Sequence, residues 1–239
     1  MKLHLSLLTN SLIVFAVCIA LSANAQRTEK ILMNDNSIGN NCMMNSQELF
    51  VKILKPFNLK QNSNQGIVLK TCSFGVNRIP TIQTATLPEV ANSFWGGASN
   101  SERKKALSNF LIPAKSNIEA MVKGPCDQTQ TNLYRALVYV SHQFSNANSS
   151  KSLILFSDLA PSSSAFNSGK YINNPKGLLK DFDKILQILQ KDSELPDFTG
   201  VDVEMIAPMP NDFSLYLGRF WTKFFKQCGA KSVTVRTAF

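Results

Sequence analysis

The stretch Lys151-Ser152-Leu153-Ile154-Leu155-Phe156-Ser157-Asp158 holds four consecutive large apolar side chains and ends abruptly in a hydroxyl and a carboxylate. A strand sends successive side chains to opposite faces, so an unbroken apolar run must be covered on both sides. This is the pattern of a central strand in a largely parallel sheet, and the Ser-Asp pair marks its carboxyl end.

Reading outward, the preceding segment Thr131 to Phe144 places Leu133, Ala136, Leu137 and Val140 on one helical face. Before it, Asn100 to Lys123 has a helical pattern that Pro113 is expected to interrupt, since an interior proline removes a donor and clashes with the previous turn. Strands are expected at Thr28 to Asn34, Gly66 to Phe74 and Pro80 to Leu87, with a helix after the first carrying Leu49, Phe50, Ile53 and Leu54 behind a Ser46 cap. Downstream, a helix follows Pro175 and carries Leu178, Leu179, Phe182, Ile185, Leu186 and Leu189. A strand at Val201 to Ala207, a helix from Phe213 to Cys228 stopped by Gly229, and a strand at Ser232 to Thr237 complete the order. The alternation predicts an α/β protein: a three-layer, doubly wound, mostly parallel sheet with helices on both faces.

The chain has 239 residues with 44% hydrophobic and 17% charged content, which excludes disordered, collagen-like and coiled-coil classes. Residues 1–25 read as a secretory signal peptide, with Lys2, an apolar run from Leu12 to Leu21, and an A-x-A cleavage site at Ala23-Asn24-Ala25. One domain, 26–239, is expected after it, secreted or periplasmic. No later stretch reaches the roughly 18 apolar residues of a membrane span.

Export gives the remaining cysteines, Cys42, Cys72, Cys126 and Cys228, a compartment in which disulfides persist, and their spacing lacks the C-x-x-C pairs of a zinc site. In the expected fold Cys42, Cys72 and Cys126 fall toward one end of the sheet and Cys228 toward the other. Cys126 is therefore expected to pair with Cys42 or Cys72.

Loss of Lys2 leaves 24 basic and 16 acidic residues, a formal charge of +8 that favours acidic partners. Nucleic acid is not expected among them, because lysine and arginine are dispersed, and the densest run, Glu102-Arg103-Lys104-Lys105, reads as a solvated helix face. Only His142 remains after processing, with no nucleophile motif beside it, and it reads as a surface or packing residue. Phe220, Trp221, Phe224 and Phe225 read as helix-to-sheet packing.

In open α/β sheets the binding crevice lies at the carboxyl ends of the strands. Asp35 and Ser37 after the first strand, Thr131 at a helix start, and Asp158 after the central strand all belong there. Carboxylates and hydroxyls are hard oxygen ligands that suit Mg²⁺ or Mn²⁺. The competing reading is local capping, in which aspartates after strands accept backbone N–H bonds and Thr131 caps its helix.

These residues resemble the metal-ion-dependent adhesion site of the von Willebrand factor A domain family, a D-x-S-x-S loop followed by a threonine and an aspartate on later loops. The matches are Asp35 and Ser37 in DNSIG, Thr131 in TNLYRAL and Asp158 in LILFSD. The resemblance implies a von Willebrand A-like, Rossmann-like fold and a non-enzymatic module. In it Asp35, Ser37 and Thr131 hold the ion, Asp158 reaches it through water, and an acidic residue of a protein partner completes the shell. Gly39 stands where the pattern has its second serine, so metal binding is expected to be weak. Two rival functions follow from the same residues: a metal-free structural component of an envelope, secretion or conjugation assembly, and a Mg²⁺-dependent phosphohydrolase with Asp35 as nucleophile. Asp35 is expected on a solvent-accessible loop, so that Asp35→Ala would cost little stability.

Overall fold

The sheet is built around β1 (Arg27–Asp35), whose residues 31–35 are all buried, as are Asn36 and Ser37 just after it. The protein is described by a computed structural model covering residues 27–37, 45–59, 64–75, 80–90, 99–124, 131–145 and 148–237. The proposed signal peptide, Gly39, Cys42 and Cys126 lie outside these residues. After β1 come α1 (Ser46–Leu54), β2 (Gly66–Phe74), β3 (Gln83–Leu87), α2 (Asn100–Val122), α3 (Leu133–Ser141) and β4 (Ser150–Phe156). Then follow α4 (Lys176–Lys180), α5 (Phe182–Asp192), β5 (Val201–Ile206), α6 (Asp212–Gln227) and β6 (Ser232–Arg236). Among the described residues no helix is long and apolar enough to cross a membrane.

The six strands are ordered β3-β2-β1-β4-β5-β6. All neighbours run parallel except β2 and β3, which are antiparallel. Strand alternation feeds two apolar clusters. Ile31 and Met33 of β1 and Leu153 and Leu155 of β4 join α3, α5 and α6 in one, while Leu32, Ile154 and Phe156 join α1 and α2 in the other. The result is a mixed α/β sheet with helices packed against it.

Several local expectations need correction. α2 runs unbroken through Pro113. The acceptor left without its usual donor is the carbonyl of Asn109, an exposed residue, while Phe110, Ala114 and Ile118 on the buried face hold the helix in one piece. The helix after Pro175 is two, α4 and α5, meeting at Asp181. Arg103 is not solvated: its guanidinium is buried and donates to the carbonyls of Pro88 (2.7 Å) and Gln65 (2.8 Å), tying α2 to the loops flanking β2 and β3. Lys104 and Lys105 beside it are exposed.

The expected pairing of Cys72 with Cys126 is not made. Cys72 is a free thiol 2% exposed, on the same face of β2 as Phe74 and inside the larger apolar cluster, where burial pushes its pKa up to about 12. Cys228 is likewise free and buried, its thiol pushed up to about 12 by burial and by the charge of Asp197.

The aromatic segment of α6 is packing, as its spacing implies. Phe220, Trp221, Phe224 and Phe225 are fully buried and meet in edge-to-face contacts at 5.4, 5.0 and 5.8 Å between ring centroids. Gly229 ends the helix with φ +84°, and a Cβ there would lie 2.7 Å from Thr199 Oγ1. His142 is exposed and paired with Glu194 at 2.7 Å, a surface contact.

Candidate functional site at the carboxyl end of the sheet

β1 is flanked by β2 on one side and β4 on the other, so the chain direction of winding reverses between β1 and β4. Crevices in open α/β sheets form at such a switch point. The register places Asn34 opposite Phe156, which brings Asp35 beside Ser157 at the carboxyl ends of these strands.

Asp35 closes β1 and is 2% exposed, so the expected solvent-accessible loop is not what the fold provides. One carboxylate oxygen, Oδ1, accepts the Ser37 N–H at 3.0 Å and the Thr131 hydroxyl at 3.3 Å. The other, Oδ2, accepts the Ser157 hydroxyl at 2.8 Å. Three chain segments far apart in sequence therefore converge on one side chain. Burial pushes the Asp35 carboxyl above its ordinary value, against the lowering effect of the Ser157, Ser37 and Thr131 hydrogen bonds. Burial also raises Asp158, and the nearby charge of Asp35 raises it further, while the Ala160 N–H donated to its Oδ1 at 2.9 Å works in the opposite direction.

Local capping and convergence therefore coexist. Asp35 and Asp158 each accept a backbone N–H two residues on, as loop aspartates do. Thr131, however, does not cap α3. That role belongs to Asn132, whose side chain accepts the Arg135 N–H at 3.1 Å, and the hydroxyl of Thr131 is thereby released to Asp35. The Thr131 backbone is held separately, by paired bonds of 3.1 Å with Ser162 in the loop after β4.

Three contributors to the site, Ser157, Leu159 and Trp221, are not assigned to it by the sequence reading, which gives Trp221 only a packing role. Ser157 donates to Asp35 and accepts the Leu159 N–H at 3.0 Å. Leu159 is fully buried with φ 61°, a conformation that costs a non-glycine residue roughly 1 to 3 kcal/mol. Trp221 of α6 donates its indole N–H to the Leu159 carbonyl at 2.9 Å and so fixes that turn from below. The signal for Ser157 lies within the opening stretch, one residue before the assigned carboxylate. Leu159 and Trp221 carry no local mark, because their pairing spans 62 residues.

On the β2 side, Asn34 donates to Asn36 Oδ1 at 2.6 Å and to the Met121 carbonyl at the end of α2 at 3.4 Å. A Cβ at Gly124 would lie 2.2 Å from the Asn36 amide nitrogen, so a larger residue there would have to displace the Asn36 side chain.

Among the described residues no group of three or more His, Cys, Asp and Glu side chains gathers as a metal cluster. A cation here would depend on the two carboxylates and on the hydroxyls of Ser37, Thr131 and Ser157. That donor set fits Mg²⁺ or Mn²⁺, which accept few carboxylates and retain water. The hydroxyls that donate their protons to Asp35 keep oxygen lone pairs for a cation, and the repulsion between buried Asp35 and half-buried Asp158 would be relieved by one.

Two solved structures of proximal thread matrix protein 1 from the mussel byssus are similar to this chain. One has 16% identity and a TM-score of 0.44, the other 15% and 0.43, and each match covers 89% of this chain. Both matches cover 44% of that protein, so this chain spans less than half its length. No family model and no curated protein matches the chain.

Proposed function

We propose that this chain is a three-layer, doubly wound von Willebrand A-like module that binds a protein partner through a divalent cation at the carboxyl end of its sheet. The observation that carries the reading is the convergence on buried Asp35 of hydroxyls from the Thr131 segment and the β4 end, beside Asp158, at the switch point between β1 and β4. The layering is supported by the two clusters fed alternately from β1 and β4.

Asp35, Ser37 and Thr131 would hold Mg²⁺ or Mn²⁺, with Asp158 contributing through water and Ser157 orienting Asp35. The ion supplies an electrophilic position for a carboxylate of the partner. No nucleophile is required, and the module is not an enzyme. An exported location, after removal of residues 1–25, is part of the same proposal, as is a Cys42 to Cys126 bridge.

The test is calorimetry and thermal melting of wild type, Asp35→Asn and Asp158→Asn in EDTA and in millimolar Mg²⁺ or Mn²⁺. Binding of a cation raises stability by RT ln(1 + [L]/Kd), about 2.7 kcal/mol at a hundredfold excess over Kd. Wild type should gain stability with metal and both variants should gain less. Identical wild-type melts with no binding heat would refute the metal-dependent mechanism and leave the metal-free structural role.

A further inference from the structure

We propose that the outer face of α6 is a second docking site, a cationic groove for an acidic peptide segment of a partner protein, independent of any metal. Arg219, Thr222, Lys223, Lys226 and Gln227 line an open groove of about 470 Å³. The three cations fall at i, i+4 and i+7, on one stripe of the helix. Among the described residues no carboxylate lines it, the nearest ion-pair contact being Asp183 with Lys223.

Several cations elsewhere on the chain are neutralised in place: Lys70 by Glu29, Arg135 by Asp192, Lys231 by Asp202 and Arg236 by Glu204. Among the described residues neither Arg219 nor Lys226 has an ion-pair partner, and Lys223 reaches only Asp183, at 3.9 Å with both side chains largely exposed. The positive charge of this face is therefore locally uncompensated. Two of the cations are also pre-positioned. The Arg219 guanidinium lies 5.1 Å from the centroid of the Tyr216 ring, and the Lys223 ammonium sits 4.0 Å from that of Phe182. Holding a long side chain over a ring lowers the rotamer entropy lost when an anion binds.

The same contacts select the class of partner. Phe182 is buried and Arg219 takes one face of half-buried Tyr216, which leaves little ring surface for stacking a base or a sugar. The Gln227 amide both donates and accepts, which suits a peptide backbone. Four residues of helix, from Arg219 to Lys223, rise about 6 Å, matching carboxylates two residues apart on one face of an extended chain.

The experiment is fluorescence anisotropy of a fluorescein-labelled peptide of six glutamates titrated with the full chain in EDTA. It compares wild type, Arg219→Glu with Lys226→Glu, the milder Arg219→Gln with Lys226→Gln, and the charge-matched control Lys104→Glu with Lys105→Glu on α2. Saturable, salt-sensitive binding should weaken about tenfold or more in the groove Glu pair, about threefold or more in the Gln pair, and less than twofold in the control. Equal weakening in groove and control pairs, or absence of saturable binding, would overturn the site. Tighter groove-dependent binding of a sulfated oligosaccharide than of the peptide would overturn the assignment to a protein segment. Because EDTA is present throughout, neither outcome depends on the cation site.

Discussion

Replacing Glu29 by glutamine takes one charge out of an ion pair sealed in the fold at the amino end of the sheet. The Glu29 side chain is 1% exposed and that of Lys70 16%, with 2.6 Å between Nζ and Oε1. The second carboxylate oxygen accepts the Ser145 N–H at 2.9 Å and its hydroxyl at 2.8 Å, and Lys70 also donates to the Gln143 carbonyl. Glutamine presents an amide donor where only donors face it and leaves the ammonium without its counter-charge. Breaking a buried pair in this way costs about 3 to 5 kcal/mol. With a urea m-value of about 2 kcal/mol/M, the unfolding midpoint should fall by about 2 M.

The double variant Glu29→Leu with Lys70→Met removes both charges and should be more stable than Glu29→Gln, short of wild type because the two Ser145 donors lose their shared acceptor. Burial alone would raise the Glu29 carboxyl, but Lys70 and the two Ser145 donors hold it below its ordinary 4.5. A depressed folded pKa means that this stabilisation is present above pH 4.5 and is lost as pH falls through the folded value. The gap between wild type and Glu29→Gln should accordingly narrow in acid. A glutamine variant within 1 kcal/mol of wild type at pH 7, or a double variant less stable than the single, would refute the reasoning.

Pro113→Ala restores a donor to the Asn109 carbonyl inside an intact helix and should stabilise the protein by about 1 to 3 kcal/mol, read by thermal melting. Gly229→Ala forces a side chain into φ +84° against Thr199 and should destabilise by more than 1 kcal/mol in the same assay. Cys72 and Cys228, free and with thiols pushed up to about 12, should resist a thiol reagent in native buffer and react fully in urea. Labelling of either in the native state at the rate of a free thiol would contradict their burial.

Much of the fold was legible because the relevant signals are local. The unbroken run at 153–156 marks a strand covered on both faces, and β4 lies inside the sheet between β1 and β5. The apolar spacing of α6 marks its buried stripe, and Gly229 marks its end. The antiparallel turn of β3 was also within reach, since the eight residues between Phe74 and Gln83 are too few for a crossover to a parallel neighbour.

The candidate site divides differently. The residue types Asp35, Ser37, Thr131 and Asp158, and their placement after strands and before a helix, could be read along the chain. Which hydroxyl serves which purpose could not. A cap can fall on Thr131 or Asn132 with nearly equal local energy, and it is the approach of Asp35, 96 residues away, that occupies the threonine and leaves the cap to asparagine. The burial of Asp35, the use of Ser157 as its partner, the strained turn at Leu159 and its anchor in Trp221 likewise exist only once β1, β4 and α6 are packed together. Pro113 follows the same logic in the opposite sense, its local penalty outweighed by the apolar contacts of Phe110, Ala114 and Ile118. Periodicity and capping are set by neighbours within a few residues and survive in the linear sequence. Desolvation and hydrogen-bond partnership depend on groups brought together from distant positions, and those are decided by the tertiary fold.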